Sequence, residues 1–315
     1  MHRRNFLRNT SACLASLIIS GCSLGISREP PQQLQGLNPN SSLEQIVTFL
    51  REHRDKAVDY DFLWPANFQV MSFGERHLHN EEQDITNHLD LYRRQGATHL
   101  AIEQPMEFQQ VVDAYCARAF SDETLYTKLR ERSYPYQDGV VGLIRKARDL
   151  GMQVVCMDTL DPTLEAIDKD LPKGFWSSTK GRNQHMAQTI AMIIAQNKDA
   201  RIIAHAGAAH FGYSPQYELD NKWKSTALAV PAYLKEEGIG TFIISYAGGS
   251  RVSDSEVNYF LGLNREELSQ RTPLHIIDIA AKIAGVDREK FGIKLDETTR
   301  THNWGHYIIH LPQEY

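Results

Sequence analysis

The chain has 315 residues, of which 23% are charged and 42% hydrophobic, and its formal net charge is −5. Those proportions belong to a globular protein long enough to bury a core without staples, and the acidic balance excludes a general binder of nucleic acid or anionic lipid. Beyond the N-terminus no apolar run approaches the roughly 18 residues that cross a bilayer, so any membrane attachment must come from the N-terminus itself.

Residues 1–21 read as a signal peptide. Arg3, Arg4 and Arg8 form a positive start, and an apolar stretch follows over about residues 12–19, too short for a membrane helix. The stretch ends Ile19-Ser20-Gly21-Cys22, the lipobox layout of small residues before a cysteine. Cleavage before Cys22 and lipidation of its thiol are therefore expected. Arg3-Arg4-Asn5-Phe6-Leu7 resembles a twin-arginine export signal, the other reading being an ordinary secretory signal with two adjacent arginines. Residues 22–42 are rich in Pro, Gln, Asn and Ser, as suits a tether. The expected location is the bacterial cell envelope, on the periplasmic or surface side, with the lipid as membrane partner. Cys13 leaves with the signal. Cys116 and Cys156 read as small core hydrophobes, since one candidate pair makes no disulfide framework.

From residue 43 strand-like and helix-like patterns alternate. Residues 68–73 (FQVMSF) form a buried apolar run, and residues 81–95 place Ile85, His88, Leu89 and Tyr92 at helical spacing before Gly96. Further strands are expected at 98–102, 153–157, 201–206 and 241–246, with helices at 140–150, 182–196 and 228–237 between them. This alternation predicts an α/β fold, a mainly parallel sheet flanked by helices, over residues 43–249. After Gly249 the rhythm weakens. Residues 250–315 are expected to form a smaller C-terminal extension packed on the main domain, with a helix at 274–284 and a late edge strand at 307–311.

In open α/β sheets, sites form beyond the carboxyl ends of the strands. Four apolar runs end in ionisable groups: Gly74-Glu75-Arg76-His77-Leu78-His79, Glu103-Gln104-Pro105, Asp158-Thr159, and His205-Ala206-Gly207-Ala208-Ala209-His210. Any one of these has a plain reading as a cap, a solvated loop or a packed core histidine; four on one edge argue for a site. Two ends share the pattern GxxH, in which glycine lets the chain turn and a histidine face the cleft. His77 and His210 with Glu75 and Glu103 make a first shell for a divalent cation, which would acidify a bound water and leave a glutamate as general base. Arg182, opening the helix Arg182-Asn183-Gln184-His185-Met186-Ala187, suits a carboxylate, a phosphate or an oxyanion as well as a surface ion pair. His79, Asp158 and His205 stand as supporting residues.

The ordered set GERH, IEQP, RNQHMA and HAGAAH resembles the Tiki/ChaN-like superfamily over residues 68–249. That group includes ChaN-type haem-binding lipoproteins, Tiki-type metalloproteases, TraB/PrgY-like proteins and erythromycin esterases. The resemblance implies functional roles for Gly74, His77, Glu103, Arg182, Gly207 and His210, with Glu75 as the acid within the first motif, and the lipoprotein signal fits the ChaN branch.

The leading expectation is a metal-dependent hydrolase of peptide or ester bonds, with His77 and His210 as metal ligands and Glu75, Glu103 and Arg182 as catalytic groups. The alternative is a haem-binding lipoprotein of iron uptake without catalysis, for which His302, Trp304, His306 and Tyr307 (HNWGHY) are the nearest cluster; their plainer reading is a loop around a packed tryptophan. An amidohydrolase barrel, suggested by His77-Leu78-His79, wants eight strand–helix units where about five are legible. A scaffold lipoprotein with a decayed site is the remaining reading.

Overall fold

Seven strands form one mixed sheet in the order β3-β2-β4-β1-β5-β7-β6. In chain order the elements are α1 (Leu43–His53), β1 (Val70–Glu75), α2 (Asn80–Arg94), β2 (His99–Pro105), α3 (Gln109–Cys116), α4 (Asp122–Arg130), α5 (Gln137–Asp149), β3 (Gln153–Asp158), α6 (Thr179–Gln196), β4 (Ile202–Gly207), α7 (Ala208–Phe211), α8 (Val230–Glu236), β5 (Thr241–Ala247), α9 (Asp254–Leu261), α10 (Pro273–Ala284), β6 (Phe291–Lys294) and β7 (Tyr307–His310). This computed structural model describes residues 41–53, 57–76, 80–130, 137–159, 179–211, 229–248, 252–262, 273–286, 288–295 and 305–311. The expected signal peptide, the tether up to residue 40, and His77, His79, His302 and Trp304 lie outside the described residues.

Every strand pair is parallel except β6–β7, so the expected α/β class is what forms. The inner strands read as continuous apolar runs because both faces of the sheet are covered. Met71, Phe73, Leu100, Ile102 and Ile203 point to one face, where α2 contributes Ile85, Leu89 and Tyr92 and α5 contributes Leu143 and Ile144. Val70, Ala101, Ile202, Ala204 and Ala206 point to the other, under Met186 and Ile190 of α6 and Leu234 of α8. A third apolar cluster joins α1 and α10 to β5, β6 and β7 through Leu50, Ile277, Ala247, Phe291 and Ile308.

The strand order places a crevice. From β1 and β2 the chain leaves through helices on the α2 face; from β4 it leaves through α8 on the opposite face. β4 lies between β1 and β2, so on both sides of its carboxyl end the chain departs in opposite senses. That divergence is where open α/β sheets hold their ligands.

The C-terminal strands complete this sheet. Residues 307–310 are a strand, but they lie one place in from the edge, paired with both β5 and β6; the edge itself is the four-residue β6, too short a run to stand out by periodicity. This part of the chain also braces the carboxyl edge. Arg76, the residue after β1, donates from Nη1 to Asp278 of α10 at 2.7 Å and to the Gly248 carbonyl at 3.3 Å. The same Asp278 accepts from the Gly248 N–H at 2.5 Å. Gly248 has φ +89°, and a Cβ there would stand 2.1 Å from the Leu311 carbonyl oxygen. Backbone conformation and space thus both demand glycine. Gly248→Ala should cost at least about 2 kcal/mol in urea unfolding; an unchanged midpoint would contradict this bracing of the edge.

Candidate functional site

Gly207, the last residue of β4, is the centre of the crevice. Glu75 lies level with it across the β1–β4 pairing, and Glu103 of β2 accepts its N–H at 2.7 Å. Alternation then separates the ionisable groups into two sets on opposite faces. His205 pairs with Phe73 and Ile102 in register, so it and Glu75 face α2. Glu103, one residue beyond Ile102, faces α6.

The α6 set is electrostatically complete. Arg182 Nε donates to both oxygens of Asp158, at 2.9 and 3.2 Å, and Nη2 donates to Asp158 Oδ2 and to Glu103 Oε1, each at 2.6 Å. His210 Nε2 lies 3.1 Å from Glu103 Oε1, while its Nδ1 lies 2.5 Å from Asn183 Oδ1. Burial acts to raise the Glu103 carboxyl, but His210, Arg182 and the Gly207 N–H together hold it well below the usual carboxylate range. Burial likewise opposes the Arg182 charge, and Asp158 and Glu103 overcome it. Arg182 Nη1 has no partner among the described residues. Each carboxylate here is paired with Arg182, and the set pins β2, β3, β4 and α6 at the crevice.

The α2 set is not complete. Glu75, Glu82 and His205 are 6%, 3% and 2% exposed. His205 Nε2 stands 2.9 Å from Glu75 Oε2, a close contact that lacks the alignment of a hydrogen bond. Glu82 Oε2 is buried without a hydrogen-bond partner among the described residues. One donor atom from each of the three lies within 4.8 Å of the others, the spacing of a cation's ligands. Burial pushes the Glu82 carboxyl up to about 7, with the Glu75 charge adding to the effect, and it pushes neighbouring Glu81 up to about 8. Burial would lower His205, yet the Glu75 charge raises it to about 9.

Two features bring α2 to this place. Glu81 and Glu82 occupy its first turn, where the positive end of the helix dipole favours acids, and Glu81 accepts the Arg76 N–H. One turn in, Asp84 is 5% exposed and accepts from the hydroxyls of Tyr60 at 2.7 and 2.9 Å and of Tyr246 at 3.0 Å, and it pairs with Lys290. The helix is thus tied to β5 and to the segment before β6. Opposite, a Cβ on Gly139 of α5 would stand 2.8 Å from Glu82 Cβ, so the glycine leaves the room that the carboxylate side chain uses.

The structure brings Glu75, Glu103, Asp158, Arg182, His205 and His210 to one sheet edge, but His210 joins Glu103 and Arg182 and not the Glu75 set. His77 and His79 lie outside the described residues. Glu82 and Asn183 were not read from the sequence. Glu82 has the look of an ordinary first-turn acid, and Asn183 carries no signal beyond its place beside Arg182. Of the HNWGHY cluster, His306 accepts the Ile243 N–H on Nδ1 at 2.9 Å and stacks on Phe242, level with mid-β5 and short of the carboxyl edge. Tyr307 packs over Gly292 of β6.

No family model matches the chain, and no curated protein does. Solved structures that it resembles include a succinoglycan biosynthesis protein (13% identity, TM-score 0.49, covering 86% of this chain and 97% of that one) and the type III effector HopBA1 (12%, 0.45, 90% and 96%). Another is ChaN of Campylobacter jejuni, solved with cofacial haem (11%, 0.38, 69% and 89%). Of several bacterial toxins that it also matches, it spans 24% to 39% of the length. All of these lie below a TM-score of 0.5, and no activity is taken from them.

The ion pairing of the α6 set has a measurable consequence. Arg182→Met leaves two largely buried carboxylates facing each other without their cation, and it should lower stability by about 3 kcal/mol in urea unfolding. A loss below about 1 kcal/mol would show that the guanidinium does not hold this edge together.

Proposed function

We propose that this chain is a metal-dependent hydrolase of the bacterial cell envelope, held to a membrane through a lipid on Cys22 and acting on a peptide or ester bond at the carboxyl-edge crevice. One observation carries the reading. At the β4 end, a rigid ion-paired set stands beside a buried set in which Glu82 Oε2 and His205 Nε2 have no hydrogen-bond partner among the described residues. Stability alone gives no reason to keep the second set, because buried polar groups without partners cost free energy. Sites that bind or react are where such arrangements persist.

A divalent cation, when bound at such a His/Glu set, lowers the pKa of its water and polarises a carbonyl. The chain's own residues do the rest. Glu75, at the strand end, would serve as ligand or base. Asp158 and Glu103 hold Arg182 so that Nη1 is the donor left for an oxygen gaining charge, a role worth about 10²-fold or more where it operates. Glu103, ionised and triply engaged, orients Arg182 and His210 and is a weak base. The described residues add nothing in favour of an axial haem ligand at His306, which is tied to β5.

The test uses the full chain with its own signal. Membrane and soluble fractions are assayed against peptide and ester libraries after chelation and after readdition of metal. Expected is metal-dependent hydrolysis in the membrane fraction, a shift of that activity to the soluble fraction in Cys22→Ser, and a loss of at least about 100-fold in kcat/KM in Glu75→Gln. Hydrolysis that survives both chelation and Glu75→Gln would overturn the proposal.

A further inference from the structure

We propose that the cation site of this chain is built by Glu75, Glu82 and His205, with α2 supplying a ligand, in place of the paired GxxH histidines His77 and His210. The inference deepens the hydrolase reading by naming the ligands, but it rests on geometry that holds whether or not the chain hydrolyses anything.

Four observations carry it. The three ligand atoms converge within 4.8 Å, from the ends of two adjacent parallel strands and the first turn of the helix that follows one of them. All three residues are more than nine-tenths buried. Glu82 Oε2 and His205 Nε2 are enclosed and lack hydrogen-bonded partners among the described residues, and both border the same small space. Finally, His210 is already committed: its two nitrogens face Asn183 and Glu103, on the other side of the sheet from Glu75. To serve as a ligand with Glu75 it would have to leave both contacts.

The donor set limits the ion. Two carboxylate oxygens and one imidazole nitrogen suit zinc, manganese or ferrous iron; copper(I) prefers sulfur, and calcium takes six or more oxygens. Three protein ligands leave coordination positions for water, as at catalytic sites. Gly139 belongs to this site without being a ligand. It gives Glu82 its room, so a methyl group there crowds the ligand while leaving all three donors in the chain.

The experiment reads ion binding and not turnover. The full chain in detergent is stripped with chelator and titrated calorimetrically with Zn2+ and Mn2+, and bound metal is counted by elemental analysis. One ion per chain is expected. Glu82→Gln, close to isosteric, should weaken binding by at least about tenfold, and Gly139→Ala should weaken it in the same direction with its far-ultraviolet circular dichroism unchanged. If Glu82→Gln binds as the native chain does while His210→Ala loses the ion, the paired-motif ligand set holds and this one is overturned. If the native chain binds no ion, the site is overturned whatever the hydrolysis assays give. If it binds through Glu82 and no peptide or ester is cleaved, the site stands and the hydrolase reading falls.

Discussion

The structure turns on a charge problem at the end of β4. Glu75 and Glu82 are carried out of water to within reach of a single imidazole, His205, which touches one of them without a proper hydrogen bond. Two buried carboxyl groups and one imidazole crowd together there, and burial makes any charge they carry expensive. Glu82 is one residue on a helix whose core contacts come from Ile85, Leu89 and Tyr92. The acid is held in place by the Asp84 hub and by the space at Gly139.

The opposite face shows how the same fold settles such a problem with protein groups alone. There the acids Glu103 and Asp158 share Arg182, and Glu103 takes a backbone N–H and a histidine as well. Every charge has a partner of opposite sign within hydrogen-bond reach, the condition under which a buried ion pair is tolerable. The two sets flank one residue, Gly207, so the rigid set fixes the strand ends from which the other set is built. The C-terminal strands and α10 extend this bracing to β1 through Arg76, Asp278 and Gly248. Distant parts of the sequence thus converge on the position of Glu75.

Much of this was legible beforehand. The apolar runs located five strands to within a few residues, because inner parallel strands are apolar on both faces, and the residues that end them marked the edge where the buried ionisable groups gather. The edge strand β6 was not legible: four residues leave no period to read, and its pairing with β7 is a tertiary matter. The division of the site into two sets was hidden for a similar reason. His205 and His210 lie five residues apart, and only the register of β4 against β1 and β2 shows that one faces α2 and the other α6. Glu82 was missed because acids in a first helical turn are common wherever a helix begins. What distinguishes it is a glycine more than fifty residues later, on a different helix.

Diffraction locates a bound ion most directly. Crystals of the zinc-loaded chain, measured at an energy where zinc scatters anomalously, should show one strong peak at about 2.0–2.2 Å from oxygens of Glu75 and Glu82 and from His205 Nε2. A peak on His210 with Glu82 unliganded, or no peak at the end of β4, would contradict the account.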